Sequence, residues 1–271
     1  MTLRLAGPLL LVGAGKMGGA LLDGWLRQGL DPADVIVSDP APPPDIVALL
    51  ERHGIKAGGA LPAKPSVILI AVKPQLVDAV LPSLAPLVGG DTLVLSIAAG
   101  RSLASLARHL PARSAIVRVM PNTPASVGQS MTVACANAAV TRDQALACNS
   151  LLEAVGEVVW IEDESLLDAV TAISGSGPAY VFLLAECLAE AGEAEGLPRD
   201  LAAKLARATV AGAGELLRRS DMPAAELRER VTSPQGTTAA ALQVLMGRDG
   251  LRDLLRRAVA AATERSRTLS S

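Results

Sequence analysis

Leu9-Leu10-Leu11-Val12-Gly13-Ala14-Gly15-Lys16-Met17-Gly18 decides the fold of this chain. The apolar run Leu9–Val12 reads as a buried first strand. G-x-G-x-x-G follows it and opens a helix expected over Met17–Gln28. That context makes the glycines a dinucleotide-binding fingerprint. Gly13 permits the tight turn, Gly15 brings a pyrophosphate against the backbone, and Gly18 lets the helix lie close to the sheet. The alternative is a strand–helix turn that holds no ligand.

Outward from this turn, strand-like runs alternate with helical patterns to about Ile161. Val35–Ser38, Val67–Val72, Leu93–Ser96, Ile116–Met120, Met131–Cys135 and Val158–Ile161 read as strands. Ile46–His53, Leu76–Leu84, Leu103–His109 and Arg142–Val155 read as helices between them. Such alternation implies right-handed βαβ units and a mainly parallel sheet. After Glu162 the strand signal ends. Helices follow at Ala179–Glu195, Arg199–Arg219, Ala224–Arg230, Thr238–Met246 and Leu251–Arg267, with Pro178, Pro198 and Pro223 at first-turn positions. Small residues such as Ala185, Ala189, Gly192, Ala211 and Gly214 let helix axes approach closely. A helical domain this short has limited surface to cover its own apolar faces, so a homodimer is expected. The expected class is α/β, with a Rossmann-type dinucleotide-binding domain over residues 1–162 and an all-α dimerisation and substrate domain over 163–271.

The second strand ends at Ser38-Asp39, and Asp39 stands 21 positions after Gly18, close to the roughly 20 of a dinucleotide fold. An acid there accepts from a ribose 2′-OH and repels a 2′-phosphate. No Arg follows, so NADH is expected over NADPH, although Asp39 before Pro40 is also an ordinary turn cap. Lys73, after Ala71-Val72, stands either near the cofactor's ribose and phosphates or as a solvated lysine at a strand end. Ser96-Ile97-Ala98-Ala99-Gly100 closes the next strand with small residues and leaves room for a flat nicotinamide.

Composition narrows the partners. The chain is 50% hydrophobic with 1% aromatics and a net charge of −2. Stacking platforms and basic runs are missing, so neither nucleic acid nor an anionic membrane is an expected partner. No segment has the roughly 20 uninterrupted apolar residues of a membrane span. Cys135, Cys148 and Cys187 are widely spaced and odd in number, which suits reduced thiols and a cytoplasmic location. His53 and His109 are isolated, so no metal site is expected.

Val231-Thr232-Ser233-Pro234-Gln235-Gly236-Thr237-Thr238 precedes an alanine-rich helix. Small side chains expose backbone N–H groups, and the helix adds the partial positive charge of its N-terminus. A small carboxylate suits this loop.

Together these pieces resemble pyrroline-5-carboxylate reductase along nearly the whole chain. The resemblance rests on Gly13–Gly18, Ala71-Val72-Lys73-Pro74-Gln75, Arg118-Val119-Met120-Pro121-Asn122-Thr123-Pro124, Ser174-Gly175-Ser176-Gly177-Pro178-Ala179-Tyr180 and Thr232–Thr238. It implies a Rossmann domain, a helical dimerisation domain, and dimers that assemble further, often into decamers. It implies NAD(P)H as cofactor, with Ala14, Lys16, Met17, Ser38, Val72, Lys73 and Ala99 at contact positions. It places the substrate, a cyclic imine carboxylate, on Ser233–Thr238, with the partner subunit helping to complete the site. Gly236, Thr237 and Thr238 would donate N–H groups to the carboxylate, the Thr238 hydroxyl would bond the ring nitrogen as the catalytic contact, and Glu164 matches a position near the substrate. The family usually has two adjacent glycines where this chain has Gln235-Gly236, so Gln235 is expected to avoid positive φ and to reshape the loop slightly.

The implied reaction is hydride transfer to the C=N bond of 1-pyrroline-5-carboxylate, giving L-proline in the last step of its biosynthesis. An imine that can arrive already protonated has less need of a general acid, which suits a chain whose histidines fall outside every motif. A β-hydroxyacid dehydrogenase would carry a catalytic lysine where this chain has Val181. A non-catalytic dinucleotide sensor would have no use for a carboxylate cradle. Ser174–Tyr180 also reads as a capped helix start, and Asn122-Thr123-Pro124 as a polar turn between strands.

Overall fold

The computed structural model describes residues 3–58, 61 and 64–270. The chain divides into two compact units, residues 1–175 with 262–271, and residues 176–261.

The first unit is built on seven strands: β1 (Leu9–Val12), β2 (Val35–Ser38), β3 (Val67–Ile70), β4 (Leu93–Ser96), β5 (Ala115–Met120), β6 (Ser130–Ala136) and β7 (Gly156–Ile161). They lie in the order β2-β1-β3-β4-β5-β6-β7. All neighbours are parallel except β5 and β6. The link from β5 to β6, residues 121–129, holds only the 3₁₀ helix Thr123–Val127, and a connection under about a dozen residues is too short for the crossover that parallel strands need. The apolar runs of β1, β3 and β4 are buried throughout. They serve two cores, because successive side chains leave a strand on opposite faces. Leu9 and Leu11 join Trp25, Leu151 and Leu152 on one face. Leu10 and Val12 join Val77, Leu81 and Leu106 on the other.

Helices α1 (Lys16–Arg27), α2 (Pro44–Arg52), α3 (Val77–Leu84), α4 (Leu103–Ala107), α5 (Arg142–Glu153) and α6 (Leu167–Val170) accompany the sheet. Trp25 of α1 is fully buried, and its Nε1–H donates to the Leu151 carbonyl at 2.8 Å. A π-helical turn over Thr171–Gly175 ends the continuous part of this unit. Its last stretch, residues 262–271, is anchored by Ser266, whose hydroxyl donates to Asp168 Oδ1 at 2.6 Å.

The second unit holds α7 (Gly177–Ala194), α8 (Arg199–Arg219), α9 (Ala224–Arg230), α10 (Thr237–Leu245) and most of α11 (Leu251–Ser270). Helices α7 and α8 pack together where Gly192 meets Ala202. Within α8 only the small Ala202 and Ala206 are buried. Along α7, Val181, Phe182, Leu183, Leu184 and Leu188 are exposed. The helical run Glu164–Ala194 holds an 18-residue stretch of mean hydropathy 1.3, and by length and composition alone the run is long and apolar enough to cross a membrane. Polar residues interrupt this stretch, so it holds no run of roughly 20 uninterrupted apolar residues. The average over a helix tolerates the few polar residues that break such a run.

Candidate active site

Strand β1 is flanked by β2 and β3, so the crossovers leave it in opposite directions and open a crevice at the carboxyl ends of the strands. A cleft of about 410 Å³ lies there. Gly15, Lys16 and Met17 line it after β1, Ala71, Val72 and Lys73 after β3, Ile97, Ala98 and Ala99 after β4, and Met120, Pro121, Asn122 and Thr123 after β5, with Gly175.

Each fingerprint glycine has a separate structural reason. Gly13 has φ +89°, and a Cβ there would sit 2.8 Å from the Ala71 backbone. A Cβ on Gly18 would overlap the Gly13 carbonyl. Gly15 has nothing within 4 Å of the position its Cβ would take. That open space beside the first turn of α1 is a cradle into which a phosphate group fits, with the helix N-terminus behind it.

Asp39 does two things at once. Its Oδ2 accepts the Ala14 N–H at 2.6 Å, and its Oδ1 accepts the Ala41 N–H at 2.9 Å. The turn-capping reading of Asp39 is therefore seen directly, and the same carboxylate braces the glycine turn. Ser38 is half-buried, and its carbonyl accepts the Gly13 N–H at 2.9 Å. Lys16 and Lys73 are exposed at the cleft. Of the expected cofactor positions, Gly15, Lys16, Met17, Val72, Lys73 and Ala99 line the cleft, while Gly13, Ala14, Gly18, Ser38 and Asp39 are not among its lining residues and bond or pack with one another at the glycine turn.

Glu164 is already engaged. Its Oε1 accepts Arg118 Nη1–H at 2.9 Å and the Leu103 N–H at 2.8 Å. It thereby joins β5 to the start of α4, and pairs the buried Arg118. The same carboxylate stands near the Cys135 thiol, which burial pushes up first, with Glu164 adding to the shift.

The loop ahead of α10 keeps its expected outline, with one correction. Gln235 has φ +59°, against the expectation that it would avoid positive φ. The turn places a left-handed residue here, and the chain accepts the strain of a non-glycine side chain in it. Gly236, half-buried, is the N-cap of α10 and donates its own N–H to the Ser233 carbonyl at 3.1 Å. Thr237 and Thr238 open the helix, where N–H groups lack intrahelical acceptors. Thr238 is half-buried, and Ser233 and Thr237 are exposed.

His109, isolated in the sequence, has a partner in the fold: its Nε2 lies 3.0 Å from Asp78 Oδ1. Arg101 bonds the same carboxylate, and that hydrogen bond is the main reason Asp78 titrates below its usual range. Ile97 and Ala98 line the cleft as their small-residue stretch led one to expect, whereas sequence reasoning passed over Met120, Pro121 and Gly175 as cleft residues. The signal was present in part, since each closes a strand or helix segment of a motif already singled out.

Comparison with known proteins bears on both units. Residues 164–269 match the family model for pyrroline-5-carboxylate reductase dimerisation, and residues 9–100 match the model for NADP oxidoreductase coenzyme F420-dependent domains. The chain is 40% identical to the pyrroline-5-carboxylate reductase of Pseudomonas aeruginosa over 96% of its own length and 95% of that protein. It is 48% identical to the Synechocystis enzyme of the same name over 75% of this chain and 74% of that one. It is similar to the structure of a pyrroline-5-carboxylate reductase from Coxiella burnetii, at 34% identity and TM-score 0.90, covering 98% of this chain and all of that one. The Plasmodium falciparum enzyme, solved with NADP bound, aligns at 30% identity and TM-score 0.84 over 98% of this chain and 99% of that one.

Proposed function

Since the chain belongs to the pyrroline-5-carboxylate reductase family, and so reduces 1-pyrroline-5-carboxylate to L-proline with a nicotinamide coenzyme, we propose how its own residues divide that work. The coenzyme supplies the hydride that reduces the C=N bond. The residues of the first unit present a small-walled cleft at the strand ends, with Gly15 leaving room for phosphate and Ile97, Ala98 and Ala99 leaving room for a flat ring.

The loop Ser233–Thr238 takes the substrate carboxylate on the N–H groups of Thr237 and Thr238, aided by the positive end of α10. Because Gly236 already donates to Ser233, these two carry most of that contact. The Thr238 hydroxyl orients the ring nitrogen. No residue of the cleft is needed as a general acid for an iminium that arrives protonated. Catalysis then rests on positioning and on electrostatic fixing of the acid group.

Asp39 supports a preference for NADH. Both of its oxygens already accept backbone N–H groups, which holds the carboxylate in place at the end of β2. A 2′-phosphate there would meet an anion. The assembly is read as a homodimer built through the second unit, with dimers associating further in the cytoplasm. Initial rates with NADH and NADPH test the cofactor reading, and NADPH favoured in kcat/KM would overturn it. For the loop, Thr238→Ala is expected to lower kcat/KM for the imine roughly tenfold or more, the scale at which lost positioning acts. Wild-type kinetics in that variant would remove Thr238 from its role.

A further inference from the structure

Asn122 was legible in the sequence only as part of a turn, and the assigned chemistry makes no use of it. In the structure its carboxamide is saturated. Nδ2 donates to the Ser174 carbonyl at 3.3 Å and to Ser174 Oγ at 3.2 Å. Oδ1 accepts the Met131 N–H at 3.0 Å and the Ser130 hydroxyl at 3.3 Å. A backbone N–H can only donate and a backbone carbonyl can only accept, so these partners fix which end of the amide is oxygen. Ser174 closes the ring by donating to the Met131 carbonyl at 3.3 Å, and Ser130, which is buried, meets the fully buried Thr132 at 3.0 Å.

Three segments of separate origin meet on this one amide. They are the end of β5, the start of β6 and the π-helical turn Thr171–Gly175. Two of them line the cleft: Met120–Thr123 and Gly175. They also touch each other, since a Cβ on Gly175 would overlap Met120 Cε. Backbone in a π-helical turn is poorly held by its own hydrogen bonds and recurs at functional positions. Here a side chain from outside the turn holds it.

We propose that Asn122 is a positioning residue for hydride transfer. It clamps the loop after β5 to the π-helical turn, and so sets the spacing between the Met120–Gly175 wall of the cleft and the Ile97–Ala99 wall. The reading rests on the assignment of this cleft to the nicotinamide. A wall displaced by about 1 Å lowers the rate of an oriented reaction by up to about a hundredfold. The phosphate cradle lies at the far strand, so nucleotide affinity does not depend on the clamp.

Asn122→Asp tests this. It keeps both acceptor contacts and replaces the donor contact to the Ser174 carbonyl by repulsion, and the Ser174 hydroxyl can bond the new carboxylate only by giving up its bond to the Met131 carbonyl. The expected result has three parts: kcat lower by about tenfold, NADH affinity by nucleotide fluorescence within about twofold of wild type, and faster amide hydrogen exchange confined to residues 118–124 and 171–175 of the free enzyme. A kcat equal to wild type overturns the proposal. So does a loss of nucleotide affinity and amide protection across the whole first unit, which would mark a general structural role. If Asn122→Asp does not fold, Ser174→Ala, which removes one acceptor of the clamp and its bond to Met131, is judged on the same measurements. A wild-type enzyme that binds NADH without oxidising it in the presence of the imine would instead sink the assignment of the cleft, which the exchange data leave separate.

Discussion

Gln235 holds a left-handed backbone that costs an L side chain about 1–2 kcal/mol. Glycine would remove that strain and give back about 0.4–1 kcal/mol in unfolded-chain entropy. Gln235→Gly is therefore expected to raise the thermal midpoint slightly, by about 1–3 °C for a chain of this size. A lower midpoint in thermal unfolding would show that the glutamine side chain itself steadies the loop. Cys148 makes a prediction about pH. It is fully buried, and burial pushes its thiol up to about 12 from 9.0. The folded state thus keeps a proton that the unfolded chain releases above about pH 9. Stability is complete below that pH and falls as pH rises towards 12, at a slope approaching 1.4 kcal/mol per unit. Denaturant midpoints between pH 8 and 11 should fall less steeply in Cys148→Ala; parallel slopes would reject the assignment. At this scale the glycines were readable, because Gly13 and Gly18 answer to steric demands set by local spacing. Gln235 was not, because propensity says what a residue prefers, and the surrounding turn says what it must accept.

Elements were legible where one local pattern settled them. Helix α5 begins at Thr141, whose hydroxyl accepts the Gln144 N–H while the Gln144 side chain accepts the Thr141 N–H. That capping box satisfies two donors the helix would otherwise leave bare. Thr141→Ala is expected to cost about 1 kcal/mol in chemical denaturation with little change in kcat, and an unchanged midpoint would mean that water replaces the cap in full. β1, β2 and β4 span the residues their apolar runs announce. The antiparallel pairing of β5 with β6 was not readable from apolar runs, since strand direction depends on how the connection closes. Nor was the π-helical turn at Thr171–Gly175, whose extra residue is accommodated by Asn122, 52 positions before Ser174.

For the whole molecule, the exposed apolar side chains of α7 carry the main consequence. Phe182 is 67% exposed and Val181, Leu183 and Leu184 are close to half exposed. Exposed apolar patches of this size mark interaction sites, and the match of residues 164–269 to a dimerisation family model fits a second copy of the chain as what covers this one. Phe182→Glu is expected to shift the sedimenting species to smaller size, with Tm falling as protein is diluted. An unchanged assembly would place the interface elsewhere. The sequence by itself determined the α/β class, the glycine turn, the helical second half and the chemistry they imply. The first three follow from periodicity and short-range sterics, which act between neighbours in the chain, and the chemistry from the family resemblance that the motifs carry. Only the tertiary structure decided that Glu164 is held by Arg118, that Asp39 braces the glycine turn, and that Asn122 ties three segments into one wall. A buried polar group must find a partner wherever folding brings one within reach, and no local pattern encodes which residue that is.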